Sequence, residues 1–435
     1  MSPPIREWTR AGAWAIADRA LFSLSSFAVS LLLARWLSES AYGAFSMAFA
    51  VFLLAGGLHG GLLTEPMLVY GSGRLRDRFA TYLGFLVRRQ VAFGIVVTAA
   101  GLAIAATLAA LGMKELSLVF VAGGIAAPWI LLQWLGRLAC YASVGPRRSA
   151  LAGVAQLALV IGGLLALRAS DTLTPVTAFL LLGLAGAAVG GMLIVSLRPV
   201  RVGADGIGFE AGELHRSYGR WAAGTAVLTW VPGQVYYLVL PLAGAVAAAG
   251  SLRALMNLVL PLMQVFVALS TVLTTALARL ANSDRHARAV RLAGFGFLAL
   301  AAAYALALTM FGAELLHWIY NGRYDANAGL LPLVAVLPVL GVGVTVFAPA
   351  LRSLERPDRV FVAYLASTVV SLTLGLWITI EYGVVGSLLG LASTTITTSL
   401  VLWLAYRNAA KIDYPSGSVS TASPLGSTTT QSESL

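Results

Sequence analysis

Apolar stretches of about 20 residues recur along this chain, separated by short segments rich in arginine. A stretch of that length crosses the hydrocarbon of a bilayer as a helix, and in lipid only helices and closed barrels satisfy their own backbone. A soluble fold is excluded, because 435 residues that are 59% hydrophobic and 11% charged carry more apolar surface than a single chain buries. Hydropathy divides the chain into about twelve spans, near 12–35, 41–69, 87–110, 116–138, 149–168, 174–197, 217–240, 249–278, 291–312, 328–351, 359–380 and 384–406. The first span follows Arg6 and Arg10, as a signal peptide would. It runs to about 20 apolar residues without a small-residue cleavage site, so a retained span is expected.

The net charge of +11 raises the question of nucleic acid, and placement answers it. The cations sit in short loops between spans, the mark of membrane orientation rather than of a nucleic-acid face. With the N-terminus inside, the inner segments hold most of the arginines, among them Arg74, Arg76, Arg78, Arg88, Arg89, Arg147, Arg148, Arg285, Arg288 and Arg352. The outer segments hold only Arg35, Lys114, Arg168 and Arg323. One missed span would scramble that alternation, so both ends are expected in the cytoplasm. No loop is long enough for a catalytic domain; the longest are 312–329 outside and 198–216 inside. From Pro415 the tail is polar, low in complexity and expected to be disordered. Cys140 is alone and forms no disulfide within the chain.

"LARWLSESAYG" (33–43) aligns without a gap with "LPLAGAVAAAG" (240–250), matching the first two spans to the seventh and eighth. Both halves start inside, so the repeat is parallel, with its axis along the membrane normal. The expected fold is all-α and polytopic, with two six-helix bundles around a central cavity. Its parts are a cytoplasmic N-terminus 1–11, a bundle 12–197, a linker 198–216, a bundle 217–406 and a tail 407–435. Gly186 with Gly190, and Gly57 with Gly61, have the small-residue spacing of close helix pairs.

Enzyme chemistry finds little support. His59, His215, His286 and His317 are scattered without metal-ligand spacing, and no P-loop or nucleophile elbow occurs. "GADGIG" (203–208) follows no strand. A membrane-embedded polymerase or ligase would carry a large outer loop, and this chain has none. No cofactor is expected.

Polar residues inside the spans are more informative, since a charge at the bilayer centre costs at least about 2.5–3.5 kcal/mol. Arg19, Ser23, Ser26 and Ser30 fall within a band of about 60° on the first helix. Arg253, Asn257, Gln264, Thr271 and Thr275 fall within about 40° on the eighth. Two facing stripes headed by arginine suit a wet cavity for an anion, because the guanidinium fork matches phosphate oxygens. Alternatively, both arginines snorkel to headgroups and the rest bind neighbouring helices. Asp18 is either a counter-ion to Arg19 or a cation site. Glu65, beside Pro66, is either a proton-coupling group or a residue that caps the helix or meets headgroups. Pro232 and Gly233 in "WVPGQVYY" (230–237) mark either a hinge or a fixed kink.

Three segments carry a resemblance: "LLLARWLSESAYGAFSMAFAVF" (31–52), "WIYNGRYDANAGLLPLVAVLPVL" (318–340) and "RSLERPDRVFVAYLASTVVSLTLGLWITIEYGVVGSLLG" (352–390). They resemble the Wzx-type oligosaccharide flippases of the multidrug/oligosaccharidyl-lipid/polysaccharide (MOP) exporter superfamily. The resemblance implies a multi-pass protein of the bacterial inner membrane that moves an undecaprenyl-pyrophosphate-linked oligosaccharide to the outer leaflet. It implies a proton or sodium gradient as driving force, a monomer, and a polysaccharide polymerase or export machinery as partner. The related lipid II flippases carry cavity arginines on helices 1, 2 and 8. Arg19 and Arg253 match the first and third, whereas helix 2 here carries Glu65. An exporter of organic cations on the same fold is the alternative.

Overall fold

The computed structural model describes residues 5–200, 207–278, 280, 285–354 and 356–413, and all regular structure among them is helical. The first half holds α1 (Ile5–Trp36), α2 (Glu39–His59), α3 (Glu65–Ser72), α4 (Phe79–Ala110), α5 (Lys114–Ser143), α6 (Pro146–Ala169) and α7 (Pro175–Ser196). The second holds α8 (Ile207–Gln234), α9 (Tyr236–Leu242), α10 (Val246–Asn257), α11 (Leu260–Ala278), α12 (Arg285–Tyr320), α13 (Leu331–Leu340), α14 (Val342–Ser353), α15 (Pro357–Val370) and α16 (Leu376–Asp413). Among the described residues, 9 helical segments are long and apolar enough to cross a membrane, or 11 if each of 2 bent pairs is one span. The last segment, Asp358–Ala409, turns at Gly383, whose φ of 58° suits a residue without a β-carbon. That turn falls between the expected spans 359–380 and 384–406. The side bearing the arginine-rich loops is called inner below.

Proline shapes these helices, and four of the freed carbonyls meet a donor from elsewhere in the fold. A proline cannot donate to the carbonyl four residues back. Pro66 frees the Leu62 oxygen, which accepts from His215 Nδ1 at 2.8 Å. Pro128 frees that of Gly124, which accepts from the Thr98 hydroxyl at 2.9 Å. Pro232 frees that of Leu228, which accepts from Thr368 at 3.0 Å, and Pro349 that of Thr345, which accepts from Ser270 at 3.3 Å. In lipid, with no water to take these oxygens, a neighbouring side chain must.

Within the first half α5 is central, packing on α7, α4, α2 and α6, while α1 lies on α6. A β-carbon on Gly186 or Gly190 would come within 2.8 or 2.7 Å of the α5 backbone, and one on Gly61 within 2.8 Å of Ala222. In the second half α16 packs on α15, α14 and α13. The halves meet chiefly through α2, which packs on α10, α8 and α9. At the outer end α2 and α10 are nearly in backbone contact: a β-carbon on Gly43 would strike the Val246 carbonyl, and one on Gly250 that of Glu39.

The stretch 198–216, expected as a linker, is helical from Ile207. Ile207 and Ala211 are buried against Leu75, Tyr82, Leu83 and Leu86 of the first half. Glu210 pairs with Arg74 at 2.8 Å and Arg78 at 2.7 Å. His215 donates from Nδ1 to Leu62, so its Nε2 accepts from the Tyr82 hydroxyl at 2.7 Å. The segment is apolar on one face and finds a partner there, so it docks instead of dangling. Residues 201–206, and the tail from Pro415, lie outside the described residues.

Candidate functional site: a cavity between the halves

At the outer end the two halves close over a knot of neutral groups. Ser30 on α1 donates to Asn257 Oδ1 at 2.8 Å, so the Tyr42 hydroxyl, 2.7 Å away, donates to Ser30. Asn257 Nδ2 donates to the Tyr42 hydroxyl at 3.1 Å and the Tyr320 hydroxyl at 3.3 Å. Tyr320 in turn donates to the Ala254 carbonyl at 3.1 Å. Tyr42, Asn257 and Tyr320 are fully buried. Every strong donor in the knot is used, so it is a satisfied network in a low-dielectric place. The Trp230 indole adds a bond to the Ala50 carbonyl at 2.7 Å.

Below this closure, a cavity of about 1040 Å³ lies between α2–α3 and α8. Leu53, Trp230 and Gln234 line its outer end; Glu65, Tyr70, Ser217 and Tyr218 line its inner end, with Thr225 and Thr229 between. It slightly exceeds the roughly 300–1,000 Å³ pockets that hold drug-sized ligands. Glu65 is exposed to it, directly after a π-helical turn, Gly60–Thr64. Such a turn inserts one residue and so rotates the next stretch of helix, which re-aims its side chains.

Arg253 is not among the residues that line this cavity; it lies outward of it. Its guanidinium lies 5.0 Å from the Phe49 ring and 4.7 Å from the Tyr237 ring. Phe49 is about one turn beyond Leu53 on α2, and Tyr237 is three residues past Gln234, across the bend into α9. The Arg253 Nη2 is buried with no acceptor. An arginine clamped between two rings with a donor unspent is poised for an anion.

The stripe expected on the eighth helix is not continuous. The chain bends by 55° between Asn257 and Leu260, so Gln264 is exposed beyond the break, and the side chains of Thr271 and Thr275 lie outside the described residues. The signal is present in "NLVLPLM": Pro261 cannot donate to the Asn257 carbonyl. The structure brings Ser30 and Asn257 together and leaves Arg19 apart. Arg19 is exposed, and no hydrogen bond or ion pair of it occurs among the described residues. From Arg19 to Ser30 is three turns of α1, about 16 Å. Ser23 is half-buried, and Ser26 lines a separate cavity of about 90 Å³ inside the first half, beside Gln133, Arg137 and Gln156.

Asp18 is paired, but not with Arg19. Arg137 Nη2 meets its Oδ2 at 2.8 Å, the Tyr141 hydroxyl donates to the same oxygen at 2.9 Å, and Ser149 donates to Oδ1 at 2.8 Å. Arg137 also lies 4.4 Å over the Phe22 ring. Successive helical residues point 100° apart, so Asp18 faces α5 and α6 while Arg19 does not. Asp18 is thus a counter-ion, to Arg137 instead of the expected Arg19. Gly233 has open space beside it, and the chain bends by 54° between α8 and α9, just beyond Pro232.

No family model matches the chain, and no curated protein matches it. Solved structures do. An inward-facing multidrug resistance MATE family transporter of the MOP superfamily superposes with a TM-score of 0.75 at 15% identity, covering 93% of this chain and 100% of that one. An outward-facing multidrug resistance MATE family transporter of the MOP superfamily superposes at 0.59 and 16%, covering 93% and 95%. Lipid II flippase MurJ in an inward closed conformation gives 0.66 and 13%, covering 92% and 90%. Over nine-tenths of its length, this chain has the fold of the MOP-superfamily transporters.

Proposed function

We infer that this protein flips an undecaprenyl-pyrophosphate-linked oligosaccharide from the inner to the outer leaflet of a bacterial cytoplasmic membrane by alternating access. The observation that carries the reading is Arg253, clamped by Phe49 and Tyr237 with a buried donor unspent, outward of the 1040 Å³ cavity. The pyrophosphate first meets Arg19, exposed toward the inner side, and then Arg253. The two act in sequence, since about 16 Å of helix separates Arg19 from the outer knot. The hydroxyl, amide and aromatic wall of the cavity takes the sugar. Asp18 and Glu65 are the carboxylates available to couple a proton or sodium gradient, Asp18 by exchanging its bond to Arg137 for the ion. Transport then needs no resident cofactor, and the undecaprenyl tail stays in lipid.

A second reading has one observation in its favour. Glu65 faces the cavity without an ion pair among the described residues, which suits an exported organic cation. One experiment separates the two. In a host lacking its own flippase, Arg253→Ala should abolish surface polysaccharide and trap lipid-linked oligosaccharide in the inner leaflet at normal expression. Hydrogen bonds to a charged group are worth about 1.5–3 kcal/mol, so apparent substrate affinity should fall roughly tenfold to a hundredfold. Arg253→Lys should recover only part, because a point charge replaces a fork. Wild-type polysaccharide in Arg253→Ala, with loss of dye efflux in Glu65→Gln, would select the cation exporter.

A further inference from the structure

On the far side of the second half, α14 packs between α12 and α16. The three helices leave a groove of about 470 Å³, separate from the cavity between the halves. Val342 and Val346 of α14 make its floor; Arg291 and Gly294 of α12 and Trp403 and Arg407 of α16 make its walls. Both arginines stand toward the inner ends of their helices. No acidic side chain lines the groove, and among the described residues neither arginine has an ion pair. Arg407 lies 5.1 Å over the Trp403 ring, which fixes its plane and leaves its N–H edge outward. Trp403 is 40% exposed, the placement of an aromatic at a membrane border. A β-carbon on Gly294 would meet nothing within 4 Å, so the apolar part of the groove is open along α12.

We propose that this groove binds an anionic phospholipid of the inner leaflet, its phosphate between Arg291 and Arg407 and the start of an acyl chain along Val342 and Val346. Two cations with no anionic partner among the described residues select a negative headgroup, and basic pockets between helices on the inner side are where such lipids bind. The apolar floor selects a lipid over free phosphate. A zwitterionic headgroup brings a cation of its own, which the two arginines repel. The site does not depend on what the central cavity carries.

The test uses the purified full-length protein in detergent, titrated with phosphatidylglycerol, phosphatidylcholine or inorganic phosphate. Retained lipid is counted by native mass spectrometry, and the thermal midpoint is followed in parallel. Phosphatidylglycerol should be retained and should raise the midpoint, whereas phosphatidylcholine and phosphate should do neither. Arg291→Ala/Arg407→Ala should weaken the apparent phosphatidylglycerol affinity about thirtyfold, the combined effect of two membrane-surface arginines. Gly294→Leu should fill the groove and have a similar effect with both charges kept. Arg88→Ala/Arg148→Ala, which removes equal charge elsewhere on the inner side, should bind as wild type. Protection by phosphate alone, an equal loss in the Arg88/Arg148 variant, or less than about a fivefold loss in the Arg291/Arg407 variant would each overturn the proposal. Should Gly294→Leu fail to fold, the arginine variants decide.

Discussion

Asp18 has only 3% of its surface exposed, yet three donors from two other helices meet it. Removing one member of a buried pair leaves the other charge uncompensated, at a cost of about 3–5 kcal/mol, whereas removing both can be nearly neutral. Asp18→Asn and Arg137→Gln should therefore each lower the thermal midpoint markedly, and the double variant should recover most of the loss. If Asp18 also couples the driving ion, the double variant should fold well and yet transport at a rate no longer set by the gradient. A gradient-dependent rate in that variant would remove Asp18 from the coupling. This pairing is out of reach of the sequence. The Asp18–Arg19 dipeptide displays its two charges as neighbours, and helical rotation sends them to different places. Arg137 lies 119 positions away, close to the loop cations Arg147 and Arg148. The aromatic clamp is hidden for the same reason, because Phe49 and Tyr237 come from different halves.

At the scale of helices, proline is the most telling signal in the sequence. "WVPGQVYY" marks the 54° bend, and "NLVLPLM", inside the expected polar stripe, holds the 55° one. What the sequence cannot supply is the partner of each freed carbonyl. For Pro232 it is Thr368, whose hydroxyl keeps the Leu228 oxygen bonded as α8 bends. Replacing Pro232 and Gly233 with alanine restores a backbone donor and removes the glycine's freedom, so α8 should straighten. Cysteine labelling from the two sides should then shift toward one access state. Unchanged labelling at both ends would make the bend a fixed kink.

For the whole molecule, the apolar stretches make the all-helical, multi-span architecture legible, because burial in lipid acts on every span alike. The packing of α8 against the first half is not legible, since Ile207 and Ala211 sit in a stretch that reads as a polar linker. Orientation is open to direct measurement. Reporter fusions after Arg78, Arg148, Arg216, Arg288 and Arg356 should read cytoplasmic, and one after Asp325 external; one reversed loop would mean a miscounted span.

The two ends of the seam between the halves are held by different forces. Inside, Glu210 of the second half grips Arg74 and Arg78 of the first through charge. Outside, Ser30, Tyr42, Asn257 and Tyr320 hold on with dipoles, and no ion pair joins the halves there among the described residues. The screening length falls from about 10 Å at 0.1 M salt to about 3 Å at 1 M, so rising salt weakens the exposed ion pairs and leaves a buried hydroxyl–amide network almost untouched. A cell regulates the salt of its interior and has no say over that of its surroundings. In the orientation that arginine-rich loops favour, with that side cytoplasmic, the latch exposed to the surroundings is the one that salt weakens least.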